Sequence, residues 1–212
     1  GKGWDQRAMM RLIVTSETYK QASRRTPEAA AADPENRLLA YFPRQRLSAE
    51  QIRDQALYVS GLLVEKMGGP SVQAPQPAGL WEEVSMPDSN TRVFVAGKGE
   101  ERYRRTMYTF WKRASPPPSL LALDAPTREF CSVRRMTTNT PLQALALWND
   151  EQFVEASRVL AARTLAMGGD DASRLADLYA RCTGRKSDEK TAGALATALG
   201  AFRARYAGAG ED

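Results

Sequence analysis

The stretch that decides the fold is "LSAEQIRDQALYVSGLLVEKMGG", residues 47–69. Ser48 followed three residues later by Gln51 is a capping box, in which two side chains satisfy two amides that a helix start leaves orphaned. Ile52, Ala56, Val59 and Leu63 recur at helical spacing and predict the buried stripe, with Gly68 ending the helix in the left-handed conformation. Helical periodicity of this kind returns through most of the chain, so the expected fold is mainly α. We expect an irregular helical domain with at most a small β element near residues 92–111.

Upstream, "WDQRAMMRLIVTSETYKQASRR" puts Met9, Leu12, Ile13 and Ser16 on one helical face. "DPEN" at 33–36 reads as a turn that opens a short helix through Leu38 and Leu39. Downstream, residues 70–90 carry four prolines and few apolar side chains. They read as an extended Pro-rich linker draped over the surface and anchored by Leu80 and Trp81. "RVFVA" at 92–96 looks like a strand, and "RRTMYTFWKR" at 104–113 fits a strand or a short helix. The last third predicts helices from Thr140-Pro141 and from Asn149-Asp150, with Phe153, Ala156, Leu160 and Ala161 facing inward. Two more present Leu175, Leu178, Tyr179 and Cys182, then Leu195, Leu199, Phe202 and Tyr206, the last helix capped by Ser187. Residues 207–212 read as a frayed tail. We expect residues 1–212 to form a single helical domain.

Composition excludes several chemistries. The chain has no histidine, so Ser-His-Asp and Cys-His catalysis, histidine zinc sites and C-x-x-C-H haem attachment are absent in their usual forms. Two cysteines cannot make a four-thiolate metal site, so no metal ligands are assigned. No apolar run reaches the roughly 18 residues that a membrane span needs. The carboxylate pairs Glu82-Glu83, Asp170-Asp171 and Asp188-Glu189 lie in the linker or at helix starts, where negative charge favours the helix dipole. No catalytic residue is assigned.

Charge is uneven. Residues 92–135 hold 10 basic against 4 acidic side chains, while the flanking segments are close to neutral. This basic middle favours an acidic partner: a phosphate backbone, an anionic glycan or the acidic face of another domain. Within it Arg102, Arg104, Arg105, Lys112 and Arg113 interleave with Tyr103, Tyr108, Phe110 and Trp111, a mixture suited to stacking on bases or sugars, or to a core. Next, "RRMTTNTPLQALALWND" at 134–150 places Arg134, Arg135, Thr138, Asn139 and Thr140 at a helix start. That is either an anion cradle or an elaborate cap whose arginines pair with carboxylates such as Asp124, Glu129 or Asp150. Cys182 sits on an apolar stripe, which suits a buried thiol. A disulfide between Cys131 and Cys182 would require an oxidising compartment.

Four blocks then stand in order: "RLIVTSETYKQASR", "DPENRLLAYFPRQRLSAEQIRDQALYVSGLLVEKMGGPSV", "YRRTMYTFWKRASPPPSLLALDAPTREFCSVRRMTTNTPLQALALWND" and "RCTGRKSDEK". From Gly3 onward the chain resembles the planctomycete-type C-terminal domain of unknown function associated with cytochrome-c-like proteins, the PSD family, domain-of-unknown-function family 1553. Glu17, Thr127 and Trp148 depart from the expected pattern, which touches packing rather than membership. The resemblance implies the helical C-terminal part of a larger, extracytoplasmic multidomain protein (periplasmic or cell surface), with haem c carried only by another domain and no cofactor here. It raises the Cys131–Cys182 disulfide and lowers nucleic acid as a partner. It leads to a non-catalytic interaction or scaffold module that packs on the haem domain or binds an anionic polysaccharide. The alternatives are a subdomain of a polysaccharide-acting enzyme with catalytic groups partly upstream, and a basic nucleic-acid-binding domain. A pocket lined by Asp33, Asn36, Arg46, Arg53 and Asp54 would favour the enzyme.

Overall fold

A computed structural model describes residues 3–207. The expected tail at 207–212 therefore lies, apart from Ala207, outside the described residues. The fold is helical, with no sheet among the described residues, and the chain divides into two compact units, Gly1–Arg46 and Leu47–Asp212. Among the described residues no helix is long and apolar enough to cross a membrane.

In the first unit the single helix expected from Trp4 is two: α1 (Gln6–Val14) and α2 (Glu17–Lys20). The break lies at two hydroxyls. Thr15 Oγ1 donates to the Arg11 carbonyl at 2.6 Å and Ser16 Oγ to that of Ile13 at 2.7 Å, while Ser16 Oγ also caps α2 by accepting from Tyr19 N. Serine and threonine compete with the helix ladder in this way, so α1 ends where they begin. The shared face of α1 is exposed at Met9, Leu12 and Ile13. α3 (Pro27–Ala32) starts at Thr26 with proline in its first turn. No helix runs through Leu38 and Leu39. The Asp33 carboxylate accepts from Leu38 N at 2.6 Å, and the Asn36 amide clasps the Tyr41 backbone from both sides, which fixes a loop instead. Asn36 and Leu39 both sit at positive φ within it.

The second unit is built on α4 (Ala49–Ser60), which packs against α8 (Glu151–Ala166). The capping box at Ser48 and Gln51 forms as read. The helix stops at Gly61, seven residues before Gly68. Gly61 takes φ +81°, its N–H reaches the Tyr58 carbonyl and the Leu62 N–H reaches that of Leu57. That is a Schellman stop, and the first available glycine takes it. The buried stripe is also rotated: Ala49, Arg53, Leu57 and Ser60 are buried, and Ile52, Ala56, Val59 and Leu63 are half-buried. The central cluster joins Ala49 with Leu120 and Leu123 from α6 (Pro118–Ala122) and its exit, Ala125, and Phe153 from α8.

The Pro-rich segment stays mostly at the surface, but its first part, like its Trp81 anchor, enters the interior. Val72, Ala74 and Pro75 are buried. Val72 pairs with the chain at 108–110: its N–H donates to the Tyr108 carbonyl and its carbonyl accepts from Phe110 N, both at 2.8 Å. α5 (Leu80–Val84) then sets Trp81, 2% exposed, against the rings of Phe94 and Phe110. "RVFVA" forms no strand. Phe94 faces Trp81, while Val93 and Val95 are exposed. The β element reduces to two isolated parallel bridges, Val64 with Arg104 and Val72 with Thr109.

Beyond α7 (Pro141–Asn149) and α8 come α9 (Asp171–Thr183) and α10 (Glu189–Tyr206). Asp188, not Ser187, caps α10 by accepting from Thr191 N at 2.7 Å. Phe153 and Ala156 are buried as predicted, but Ala161, Phe202 and Tyr206 are exposed.

Candidate functional site

An extended chain packed indoors must satisfy its carbonyls without water. Proline removes N–H donors from that account, leaving mainly acceptors. Two buried guanidiniums supply the missing donors. Arg53, 4% exposed on α4, gives Nε to Gln152 Oε1 at 2.6 Å, Nη1 to the Arg104 carbonyl and Thr106 Oγ1, and Nη2 to the Arg102 carbonyl at 2.8 Å. Arg104, 5% exposed, reaches the carbonyls of Pro70 (3.1 Å), Lys66 (2.9 Å) and Gly68, with its guanidinium 3.8 Å over the Tyr108 ring. Gln152 extends the network by donating to the Pro75 carbonyl at 3.0 Å. Burial pushes the Arg53 guanidinium down to about 10, opposed by nearby Asp54 and Asp150. It remains a cation at neutral pH. Asp54 in turn accepts from the Thr106 amide at 2.7 Å and hydroxyl at 2.6 Å, and pairs with Arg105.

The basic-aromatic patch therefore turns largely inward. Arg102 pairs with Glu151 and Glu155 of α8, and the hydrogen bond it donates to Glu151 raises its pKa. Tyr103 donates to Glu155 at 2.7 Å. Lys112 lies 4.9 Å over the Trp81 ring, bonded to Ser85 Oγ and to the Thr91 carbonyl. Trp111 donates Nε1 to the Thr127 carbonyl at 2.9 Å, with Arg128 over its ring. Arg105 and Arg113 stay exposed.

At the start of α7 the structure brings part of the predicted cradle together around an internal anion. Asp124 Oδ2 accepts from the Thr138 amide at 2.7 Å, Thr138 Oγ1 donates to the same carboxylate, and Gln143 Nε2 reaches it at 3.1 Å. Gln143, the only buried residue of α7, also accepts from Thr140 N at 3.3 Å. Arg135 pairs with Glu50 at 2.7 Å. Burial raises the Glu50 pKa, and the hydrogen bond from Arg135, the bonds it accepts from its own backbone and from Ser48, and the Arg135 charge together outweigh this, so the carboxyl titrates below its usual value. Arg134 and Asn139 are exposed and lie outside the cluster. Sequence reading proposed Asp124 as an ion-pair partner of the arginines and missed its place at the Thr138 amide. It also missed Glu50 and Gln143; the T-x-x-Q spacing at 140–143 was the signal for the latter.

Both cysteines are free thiols: Cys131 is exposed, and Cys182 is half-buried with its pKa raised by burial. Asp33 and Asn36 serve their own loop, and Arg53 and Asp54 serve the network just described. Clefts of about 80 and 330 Å³ lie along α8, the smaller lined by Leu160, Arg163, Thr164, Met167 and Arg181. Among the described residues no three His, Cys, Asp or Glu side chains come together to hold a metal ion.

The family model described as a protein of unknown function (DUF1553) matches residues 1–199. The chain belongs to that family. No curated protein and no solved structure matches it.

Proposed function

We propose that the chain is a non-catalytic interaction module of an extracytoplasmic, cytochrome-c-associated protein, and that its partner is another domain, the haem-carrying one that the family resemblance implies. The observation that supports this reading is α7. Apart from Gln143 its side chains are exposed or half-buried, with Leu142 at 59%, Leu145 at 58% and Trp148 at 76% exposure. Large apolar groups clustered on one helix mark an interaction surface, and tryptophan is enriched among the residues that dominate binding energy. The polar groups best suited to chemistry, Arg53, Arg104, Asp54 and Asp124, are meanwhile engaged in holding loops.

The test is a titration with a purified c-type haem domain, read as quenching of Trp148 fluorescence by the haem. We expect saturable quenching in the wild-type chain, lost in Leu145→Asp and reduced in Trp148→Phe, which keeps Trp4, Trp81 and Trp111. Equal quenching in all three overturns the reading. A second reading, binding of an anionic glycan, draws on Arg113 and Arg134, which are exposed without an ion-pair partner among the described residues. A thermal shift with a sulfated glycan, abolished in Arg113→Ala with Arg134→Ala, would select it.

A further inference from the structure

Two other exposed segments match one another in character. Residues 83–88 expose Val84 at 49% and Met86 at 80% between the carboxylates of Glu83 and Asp88. Residues 128–136 expose Phe130 at 78%, Val133 at 106% and Met136 at 73% among Arg128 and Arg134, which outweigh the one acidic side chain there, Glu129, while Arg135 pairs with Glu50. Each is an apolar strip edged by charge, one acidic and one basic. Both border the dipeptide Trp111-Lys112: Lys112 bonds Ser85 and Thr91, and Trp111 bonds the Thr127 carbonyl beneath the Arg128 guanidinium.

From this complementarity we infer that the chain self-associates, the 83–88 strip of one copy lying on the 128–136 strip of another. Apolar strips left in water favour burial, and opposite rims fix register and suppress the like-with-like arrangement. Every copy carries both strips, so a second copy is a partner that presents the required chemistry. A two-fold pairing would use each strip twice. The inference concerns a different surface from α7 and stands independently of the function proposed above.

Sedimentation velocity over a rising concentration series tests it. A mass above the 23.4 kDa monomer is expected, weakening as salt screens the rims. Glu83→Lys and Arg134→Glu, both at exposed positions, should each weaken association by about tenfold or more, which corresponds to about 1.4 kcal/mol. The double variant restores opposite rims in swapped order and should recover most of the loss, a rescue that no folding defect produces. A chain that stays monomeric to about 1 mM, the weakest specific range, overturns the inference. So does a double variant weaker than either single one.

Discussion

Residues 62–112 and the pair α9 and α10 are built on opposite terms. The first region has almost no regular structure beyond α5 and two short 3₁₀ turns, yet it holds Val72, Ala74, Trp81, Arg104 and Thr106, all buried. The second is two well-capped helices of 13 and 18 residues without one buried side chain. Regular secondary structure satisfies its own backbone and can sit at the periphery. Irregular chain can enter a core only if side chains satisfy its carbonyls, and here two arginines and a glutamine do so. Stability should therefore concentrate where the structure looks least ordered.

Arg53→Ala is the sharpest way to break that contrast. It orphans the carbonyls of Arg102 and Arg104 and Gln152 Oε1 together, and removes one of the two partners of Thr106 Oγ1. Each unsatisfied buried group costs about 1–3 kcal/mol before relaxation, so a loss of roughly 3 kcal/mol or more is expected. Urea titration should show that loss or no cooperative unfolding. Arg53→Lys should recover little, because a single ammonium cannot reach acceptors arranged around a planar fork. A loss below about 1 kcal/mol in Arg53→Ala would mean that water substitutes for the guanidinium and that the loops are held by Trp81 instead.

Asp124→Ala should act at the border between the two kinds of structure. The carboxylate holds the Thr138 amide and hydroxyl and Gln143 Nε2, tying the exit of α6 to the start of α7. We expect a loss of about 1–2 kcal/mol, in the range of a removed helix cap. Amide exchange should quicken at 138–143 first. Asp188→Ala probes the periphery by removing the cap of α10. It should cost about 1 kcal/mol or less, seen as faster exchange in the first turn of α10 while the Trp81 region stays unchanged. Equal loosening of both regions would show that α10 and the core unfold as one unit.

What was legible in the sequence follows the same division. The capping box at Ser48, the Asp150 start and the inward Phe153 and Ala156 depend on residues near in sequence, so short-range patterns reveal them. The buried part of the Pro-rich segment was not legible, because the partners that make it tolerable stand tens of residues away. Arg104 serves Pro70 across 34 positions, and Gln152 serves Pro75 across 77. The stripe of α4 was misjudged for a related reason. Helical periodicity follows apolar residues, and the inward face of α4 also carries Arg53 and Ser60, both buried. The candidate cradle at 134–140 was legible as a helix start with an anion to hold; that the anion is Asp124 required the fold.

The smallest effect expected comes from acid. Glu50 is a carboxyl whose pKa lies below its ordinary 4.5 in the folded chain, burial opposing and the Arg135 pairing prevailing together with the hydrogen bonds of Ser48 and the local backbone. A depressed carboxyl contributes stability that is fully present above its unfolded pKa and is lost as pH falls through the folded value. The pair Arg135–Glu50 should therefore help at pH 7 and at pH 5, and fade below about pH 4. Both side chains keep solvent contact, so screening limits the contribution to under about 1 kcal/mol. Arg135→Ala removes the Glu50 partner, so the variant should lie below wild type at pH 7 and converge with it near pH 3 in parallel urea titrations. Curves that stay separated at pH 3 would show that Arg135 acts by packing its methylenes on α4 instead of by charge.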